Sequence, residues 1–560
     1  YGSNDINFEF LPNDKAFKKF REVNLANPPV GLMPDDPKIK NLKNASLVRY
    51  AIKFKDSKQW NNNISSYIDY NHFSDNQYKI DLPPSDVIRK QADDHILQQA
   101  VVYYNSDTWQ ASSMIKGYQT LHTIEGPALT EPYIILPGMT LSNNNLINSP
   151  LDLSPDFNPI LNLSIDSHAM QFVKPLYPAA DKTANGQRYF MKPAISLPVK
   201  KTYGYINPKL ALHSRFYNLN RLNDTAEALH YKRQQDYVIP MLSVDSMLYF
   251  DRLYSFYDQQ YNQTLEPRLF YLFVPYKNQH QAPDFDIKES TFTYEQLFRD
   301  NRFSGYDRQS NANQLSAGLV SRFQNKSNGA QYLKLSLGQA LYIQDMITTI
   351  CDQKVNPNCI NKELPDYKKR VSPFISELSI NFDPKLYGQA EWQWDYYLHN
   401  TRKVNFGLHY SDKPGDNIAQ QTLINLEYNF LKEGNTQYAI TGKRIYEVNK
   451  PKNDLSEVEA SFKVPMHNNW NLLGFTSYDL TDQLTLDNYL GIEYQQCCWA
   501  IRFGYRHDLN LRLNSEAPKK YDNMYYVQFS LKGLGEINQN FENVLRSNIP
   551  GYYNHLSAIY

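Results

Sequence analysis

The residues with the clearest chemical potential in this sequence are its cysteines, of which there are 4. Cys351 and Cys359 enclose the stretch CDQKVNPNC, and a disulfide between them would staple a loop in an oxidising compartment. No histidine lies in that stretch, so a zinc site there would lack the usual nitrogen ligands. We therefore predict a disulfide between Cys351 and Cys359, and no metal site.

Cys497 and Cys498 are adjacent and pose a different problem. Neighbouring side chains on a strand point to opposite faces, so adjacent cysteines rarely bond to each other. Once Cys351 and Cys359 have paired, this chain offers the other two no partner. Two interpretations are open at this point: partners in sequence outside this chain, or two inert thiols at a strand end.

Catalytic constellations are not indicated by the sequence. Histidines are dispersed, and the HExxH, GxSxG and GxxxxGK[ST] patterns do not occur. Anionic sugars or phosphates could contact a group of arginines, namely Arg268, Arg299, Arg302 and Arg308. The run from Glu266 to Arg268 also fits a structural motif at a strand end, and this interpretation is favoured. We predict a protein that is not an enzyme and has no cofactor.

The elements that position these residues are predicted to be strands, because apolar residues alternate with small or polar ones along much of the chain. The alternation runs from Gln314 to Phe323 and resumes from Leu333 to Leu341. Between them Asn325–Gly329, which ends in Asn-Gly, predicts a short hairpin turn. On the other side, residues 277–313 form a long loop. One end of the predicted sheet therefore has tight turns and the other has long loops.

The composition limits the class of protein further. The chain has 560 residues, balanced charge with 58 basic and 58 acidic side chains, and an excess of tyrosine, 44 against 28 phenylalanines. Balanced charge argues against a nucleic-acid partner. The mean hydropathy is negative and no apolar run approaches 18 residues, which excludes membrane-spanning helices but not a membrane barrel. Tyrosine-rich girdles are typical of such barrels.

Charged residues recur on the polar faces of the predicted strands, for example Arg322, Lys334, Glu391 and Asp395. On the lipid face each would cost a few kcal/mol, so we expect these four to face a wet lumen. A β-sandwich with this many strands in one unbroken domain would be unusual. We predict an all-β fold, one large antiparallel transmembrane β-barrel over residues 1–560. The best candidate for a helix is Pro84–Ala100, with Ser85 as its N-cap.

Several stretches of the sequence are distinctive as a set: LEPRLFYLFVPYKNQ, LFRDNRFSGYDR, ANQLSAGL and GQALYIQD, then LGIEYQQCCWAIRFGY, and finally VLRSNIP. Together they resemble the lipopolysaccharide-assembly protein D (LptD) family. The first four are similar to its most characteristic block, the fifth to its double-cysteine strand, and the last to its C-terminus. The residues of the block that carry the resemblance are Leu265, Glu266, Pro267, Arg268, Arg299, Arg302, Gly305, Asp307, Arg308, Asn313, Gln314, Gly338 and Gln339.

The resemblance implies an architecture for the chain. The family's barrel has about 26 strands, and about 24 are expected here, because YGSNDINFEFLPND at the start of the sequence resembles the family's third strand. A signal peptide, a periplasmic jelly-roll domain and two strands would then lie outside this chain. Cys497 and Cys498 would bond to cysteines in or before the jelly-roll. The implied location is the outer membrane of a Gram-negative bacterium.

The resemblance also implies a function. Lipopolysaccharide would be inserted into the outer leaflet, its sugars passing through the polar lumen and its lipid through a lateral opening beside the final strand, Tyr525–Leu531. The implied partners are lipopolysaccharide, outer-membrane lipid, the lipoprotein LptE as a plug in the lumen, and the periplasmic bridge protein LptA through the jelly-roll. A porin or import barrel is the alternative, and a secreted β-rich carbohydrate-binding protein or hydrolase is a second one.

Overall fold

Strands dominate the computed structural model of the chain, and a few short helices lie between them. The residues that the structure describes are 2–29, 32–33, 36–82, 95–124, 129, 131–148, 160–174, 184–222, 232–256, 259–279, 281–348, 350, 370–412, 421–432, 454–467, 469–496, 498–509, 521–531, 535–537 and 540–552.

The first half of the chain contains strands β1 to β13. Their bounds are β1 Gly2–Leu11, β2 Arg49–Gln59, β3 Ile64–Phe73, β4 His95–Asn105, β5 Trp109–Thr120, β6 Ile134–Asn148, β7 Ile160–Val173, β8 Ala184–Ser196, β9 Val199–Lys201, β10 Gly204–Leu222, β11 Gln234–Leu248, β12 Phe250–Phe256 and β13 Gln259–Val274. The helices of this half are α1 Lys15–Ala26, α2 Pro37–Asn44 and α3 Tyr78–Asp81.

The second half continues in the same way. Its strands are β14 Lys288–Glu289, β15 Phe303–Ser304, β16 Ala312–Asn325, β17 Gln331–Tyr342, β18 Phe374–Asp383, β19 Leu386–Asp395, β20 Asn400–Ser411, β21 Leu423–Leu431, β22 Leu455–Pro465, β23 Trp470–Asp479, β24 Leu484–Gln495, β25 Trp499–Leu509, β26 Tyr521–Leu531 and β27 Gly535–Ile537. A 3-10 helix spans Glu295–Phe298, and helix α4 spans Asn540–Asn548.

All strands except β14 and β15 belong to one 25-stranded sheet. Neighbours along the chain pair antiparallel; β12 continues β11 along β13, and β8 and β9 both pair with β10. Among the described strands, no hydrogen-bonded register joins β1 to β26 or β27. The predicted all-β barrel architecture is confirmed, with a strand number close to the expected one.

Each strand presents two unlike faces, which β10 illustrates. His213, Arg215 and Tyr217 are buried, whereas Leu210 and Phe216 on the opposite face are exposed. The same contrast holds on neighbouring strands, where the exposed apolar side chains include Tyr189, Met191, Val238, Leu242, Leu269 and Phe273. A continuous exposed apolar face over a buried polar face is the arrangement of a membrane barrel around a polar lumen. We call these the outer face and the lumen face.

The two ends of the sheet differ as expected from the sequence. The predicted turn after β16 closes through hydrogen bonds from the Asn325 N–H to the Ala330 carbonyl (2.8 Å) and from the Gly329 N–H to the Asn325 carbonyl (2.8 Å). Gly329 has φ +69°, a left-handed conformation that favours glycine. The long segments between β1 and β2 and between β13 and β16 lie at the opposite end. We call these the short-turn end and the long-loop end.

The helix predicted for Pro84–Ala100 is wrong where the structure describes it. His95–Asn105 is strand β4, paired with β3 and β5, while Ser85 and the rest of residues 84–94 lie outside the described residues. Sheet pairing on both sides overrode the weak local preference for a helix.

At the long-loop end, a buried arginine ties two helices to strand β2. The Arg49 side chain has no exposed surface and forms ion pairs with Asp14 (2.8 Å), Asp75 (3.0 Å) and Asp81 (2.9 Å). Burial raises the pKa of the Asp81 carboxyl to about 6, against the opposing charge of Arg49. Burial would also raise the pKa of Asp14, but the Phe17 N–H and Arg49 hold it below its ordinary value.

Lowering the pH from 7 to 5 is expected to tighten this helical cap. The pKa of Asp81 is higher in the folded protein than in the unfolded chain, so proton uptake in this window favours the folded arrangement by about 1 kcal/mol. The opposite contribution of Asp14 begins only below about pH 4. Hydrogen exchange of residues 78–82, corrected for intrinsic rates, measures the effect. Asp81→Asn should abolish it, and a wild-type cap that loosens between pH 7 and 5 would contradict the assignment.

Candidate functional site in the barrel lumen

The long segment between β13 and β16, residues 275–311, folds into the barrel, and we call it the plug loop. It contains β14, β15 and the 3-10 helix. Tyr294, Leu297 and Phe298 of the plug loop are buried in one cluster with lumen-face residues, among them Phe270 and Val320. The sequence predicted a long loop here. The structure places its apolar side chains against the barrel wall, because their burial removes apolar area from water.

Asp307 is the central anchor of the plug loop. Its fully buried carboxylate accepts hydrogen bonds from Arg188 (2.8 Å) on β8, from the Tyr217 hydroxyl (2.8 Å) on β10, and from the N–H groups of Phe285 (2.7 Å) and Asp286 (3.0 Å). Burial alone would raise the pKa of this carboxyl, but the charge of Arg188 and these donors hold it below its ordinary value. The carboxylate is therefore ionised throughout the physiological range and fixed by partners on two strands.

Arg188 is the counterpart of Asp307 on the wall. Its guanidinium also donates to both carboxylate oxygens of Asp286 (2.8 and 2.6 Å), and its Nε donates to His168 (2.8 Å). Burial and the nearby Asp307 carboxylate raise the pKa of Asp286. One arginine thus holds two carboxylates of the plug loop, a bidentate arrangement that fixes orientation as well as position.

Further contacts attach the plug loop to a wide arc of the wall. Lys192 on β8 pairs with Asp300 (2.6 Å), and the Tyr294 N–H donates to Glu377 on β18 (3.3 Å). The Gln393 side chain on β19 donates to the Phe292 carbonyl (3.0 Å). The anchors therefore extend from β8 to β19, so this one loop obstructs a large part of the lumen.

Two facing glycines allow the 3-10 helix to lie directly on the wall. Gly318 and Gly338 are opposite each other on β16 and β17. A Cβ at Gly318 would lie 2.5 Å from the Tyr294 hydroxyl, and one at Gly338 would lie 2.5 Å from a Leu297 methyl. The lack of a side chain at Gly318 and Gly338 therefore allows close approach of the plug loop in this chain.

Gly318→Ala is expected to loosen the plug loop. The added methyl must displace Tyr294 and Phe298, which overpacks the contact and costs about 1–3 kcal/mol. Limited trypsin digestion of the folded barrel should then cut faster within residues 275–311. Gly117→Ala is the matched control, because a Cβ there meets only Ile134 at 3.5 Å. Equal digestion rates for the two variants would contradict the close-approach interpretation.

Other members of the family motif shape the plug loop itself. Gly305 has φ +75°, and a Cβ there would collide with the Asp286 carbonyl. Arg308 donates to the Ala282 (2.8 Å) and Pro283 (3.2 Å) carbonyls and pairs with Asp284 (2.7 Å). These contacts hold the two limbs of the loop together.

The motif residues on the strands have other roles. Arg268 makes two hydrogen bonds to Asp245 (2.9 and 2.8 Å), and its guanidinium lies 4.0 Å from the centre of the Phe298 ring. Glu266 forms an ion pair with Arg322. Leu265 is exposed on the outer face. The strand motif thus spans both faces of the wall.

The rest of the motif lies near the long-loop end. The Tyr271 hydroxyl donates to Asn313 (3.2 Å), and Gln339 donates to the Ser372 carbonyl (3.0 Å). Pro267 lies opposite Leu319 in the β13–β16 register. Three motif residues line one cavity beside the plug loop, namely Arg299, Arg302 and Gln314.

The four candidate lumen residues have different surroundings. Lys334 lies opposite Arg322 in the β16–β17 register. Glu391 pairs with Lys403 (2.7 Å) and accepts a hydrogen bond from the Gln393 amide (2.7 Å). The same amide also donates to the Phe292 carbonyl of the plug loop. Asp395 is buried at the end of β19, where it caps the following turn through the N–H groups of residues 397 (2.9 Å) and 398 (3.2 Å). Their role in lining the sugar path stays a prediction.

The cysteine predictions fall largely outside the described residues, which include neither Cys351 nor Cys359 nor Cys497. Cys498 is exposed in the turn between β24 and β25, at the short-turn end. The disulfides therefore stay predictions.

A second internal element occupies the short-turn end, where helix α4 and Tyr552 pack inside the barrel. Leu545 and Ile549 are fully buried in a cluster with Leu473 and Phe475 of β23. The Tyr552 hydroxyl donates to Glu493 (2.7 Å), which also pairs with Arg502 (2.5 Å). Sequence reasoning missed this network. A signal existed in the alternation of β24 and β25, which places Glu493 and Arg502 on the polar faces of neighbouring strands.

Neither a metal-binding group nor a membrane helix is found in the described part of the chain. There, no cluster of three or more His, Cys, Asp or Glu side chains could hold a metal ion. Of the helices described, none is long and apolar enough to cross a membrane.

Comparison with known proteins identifies the family. The family model "LptD: LPS transport system D" matches residues 48–470. The chain belongs to the LptD family. The LPS-assembly protein LptD of Legionella pneumophila (strain Lens) is 30% identical over 558 residues, which is 98% of this chain and 62% of the relative. That of Coxiella burnetii (strain RSA 493 / Nine Mile phase I) is 30% identical over 553 residues, or 96% and 59%.

The chain thus spans about three fifths of the length of these LptD relatives. A solved ferric enterobactin receptor mutant from Pseudomonas aeruginosa aligns with TM-score 0.31 and 9% identity over 94% of this chain and 71% of that chain. Likeness this weak carries no argument. LptD membership and the barrel architecture place the chain in the outer membrane of a Gram-negative bacterium. In such barrels the short-turn end faces the periplasm and the long-loop end faces outside.

Proposed function

We propose that this chain forms the barrel of a translocon that inserts lipopolysaccharide into the outer leaflet of the outer membrane. Membership of the LptD family over residues 48–470 is the observation that carries the proposal. The alternative of a porin or import barrel lacks comparable support. The action is transport, without covalent chemistry by the chain.

The faces of the wall support a divided route for the substrate. Polar and charged side chains such as Arg188, Arg215 and His213 cover the lumen face, which suits hydrated sugars. Acyl chains would be expensive to carry through that space, at about 0.8 kcal/mol per CH₂ exposed to water. We therefore propose that sugars pass through the lumen while the lipid portion leaves through the wall.

The last strands are the proposed side of the lateral opening. Tyr525–Leu531, the predicted final strand, lies within β26, but the short strand β27 follows it. β26 pairs with β25 along its whole length and with β27 over only three described residue pairs, Phe529 to Leu531. Each backbone group left unsatisfied in lipid costs several kcal/mol. Because few backbone hydrogen bonds would have to break beside β26, an opening there would cost less than one between two fully paired strands.

The plug loop is proposed to keep the sugar path closed at rest. Contacts with Arg188, Lys192, Glu377 and Gln393 of the wall hold the loop inside the lumen near the outer surface. Passage of sugars then requires displacement of the loop. The lipoprotein LptE is proposed as a further lumenal partner, and LptA as the periplasmic one through a jelly-roll domain to which Cys497 and Cys498 would be bonded.

Depletion of the protein from its host tests the proposal. Lipopolysaccharide is expected to disappear from the surface of intact cells, measured with an antibody to its outer sugars, and to accumulate in the inner membrane. Wild-type protein should restore it, and so should Lys326→Gln in the exposed turn after β16. Arg188→Met, which frees the plug loop, should restore it poorly or leave cells permeable. Normal surface lipopolysaccharide after depletion would refute the function.

A further inference from the structure

Beside the plug loop is a cavity of about 150 Å³ that the transport mechanism described above does not use. It lies between the plug loop and the wall strands β13, β16, β17 and β20, near the long-loop end. Its charged lining consists of Arg299, Arg302, Arg402 and Glu289. Three arginines against one carboxylate make the cavity electropositive.

The arginines of the cavity are incompletely used by the protein. Arg302 donates to the Thr348 carbonyl and lies 3.7 Å from Glu289, a long ion pair. Its Nε is buried without a hydrogen-bond partner in the described part of the structure. Arg299 is exposed, and neither it nor Arg402 forms a side-chain ion pair with any described residue. Guanidinium groups normally find acceptors, so three arginines that line one cavity with a single distant carboxylate among them suit an anionic ligand.

The contrast with the other arginines of the motif is informative. Arg268 is satisfied by Asp245, and Arg308 by Asp284 and two carbonyls. Those two arginines make structural contacts, and for Arg268 this is the interpretation favoured from the sequence. Arg299 and Arg302 are the members of the group that line the cavity without a close carboxylate partner.

We propose that this cavity binds one compact oxyanion, a phosphate or carboxylate group carried on a sugar. Guanidinium forks match such groups in a bidentate manner. Polar neighbours that could complete the site are Ser290, Asn301 and Ser372. A cavity of about 150 Å³ has the size that takes a molecule such as benzene, so it accommodates one anionic group and not a whole oligosaccharide.

The position of the cavity gives the site a role. The plug loop supplies Arg299 and Arg302, whereas the wall strand β20 supplies Arg402. An anion bound between them bridges the loop and the wall, so arrival or departure of an acidic sugar would change how firmly the plug loop is held. Assigning the anion to the transported glycolipid rests on the proposed function, whereas the existence of the anion site does not.

Titration of the purified protein, in complex with its natural partners in detergent, tests the site. The probes are inorganic phosphate, glucosamine 1-phosphate and galacturonate, followed by calorimetry at low salt. The wild type is expected to bind at least one of the two sugar anions. Arg299→Gln and Arg402→Gln should each weaken this binding about tenfold, the loss of one charge-assisted contact. Arg252→Gln is the control and should leave binding unchanged, because this exposed arginine of β12 does not line the cavity.

The outcomes separate this inference from the proposed function. Preference for glucosamine 1-phosphate or for galacturonate identifies the anionic group. Binding of inorganic phosphate alone overturns the assignment to a sugar, and no binding, or equal binding by all variants, overturns the site. Unchanged melting temperatures of the variants show that weakened binding is not misfolding. If the site fails while depletion still removes surface lipopolysaccharide, only this inference falls.

Discussion

Arg188→Met is expected to release the plug loop from the barrel wall. The variant leaves the buried carboxylate of Asp307 and the partly exposed carboxylate of Asp286 close together without their shared cation. Breaking a buried pair in this way costs about 3–5 kcal/mol, because it leaves the Asp307 charge without its cation. In planar bilayers, the purified barrel should show a several-fold larger ion conductance, because the obstruction inside the lumen has become mobile.

A double variant serves as the control for this result. Arg188→Met with Asp307→Leu removes both charges of the buried pair. This double variant should conduct less than Arg188→Met alone, because no uncompensated Asp307 charge then pushes the plug loop away from the wall. Lowering the pH should also partly rescue the single variant. Without Arg188 the two carboxylates take up a proton more readily, which relieves their repulsion. A conductance equal to that of wild type would show that these anchors do not hold the plug loop.

Glu493→Leu is expected to destabilise the barrel at its short-turn end by about 3–5 kcal/mol. Glu493 and Arg502 are each only 1% exposed, and their 2.5 Å ion pair is a buried charge pair between β24 and β25. Loss of the carboxylate leaves Arg502 and the neighbouring Lys463 buried without it, and also frees Tyr552. The measurement is the temperature at which the barrel unfolds, read from its shift in gel mobility.

Tyr552→Phe is the matched comparison for Glu493→Leu. It removes one hydrogen bond to the carboxylate and leaves the charge pair intact, so the expected loss is only about 1.5–3 kcal/mol. Protection of α4 from protease should fall in both variants, because Tyr552 follows the helix. An unfolding temperature that is equally high in Glu493→Leu and wild type would refute a stabilising role for this network.

Local patterns were sufficient to predict the strands, the Asn325–Gly329 turn and the unequal ends of the sheet. These depend on period-two alternation and on turn chemistry, which neighbouring residues determine. The failure at Pro84–Ala100 shows the limit of local preference, since β4 exists through its pairing with β3 and β5.

The plug loop shows what the sequence could not reveal. Asp307 was noticed as part of a family motif, but its partner Arg188 lies 119 residues earlier, and nothing in the local sequence links them. The same holds for Tyr552 and Glu493, 59 residues apart. Such pairs form when the curved sheet brings distant strands and loops together on its lumen face.

By itself, then, the sequence determined the all-β fold, the two-faced strands and the family, because these are written in short-range alternation and in contiguous motifs. Only the tertiary structure decided which arginines are satisfied, that the loop of residues 275–311 folds inward, and that α4 occupies the other end. The physical reason is that a buried charge is stable only beside a partner, and the fold alone sets which side chains become partners.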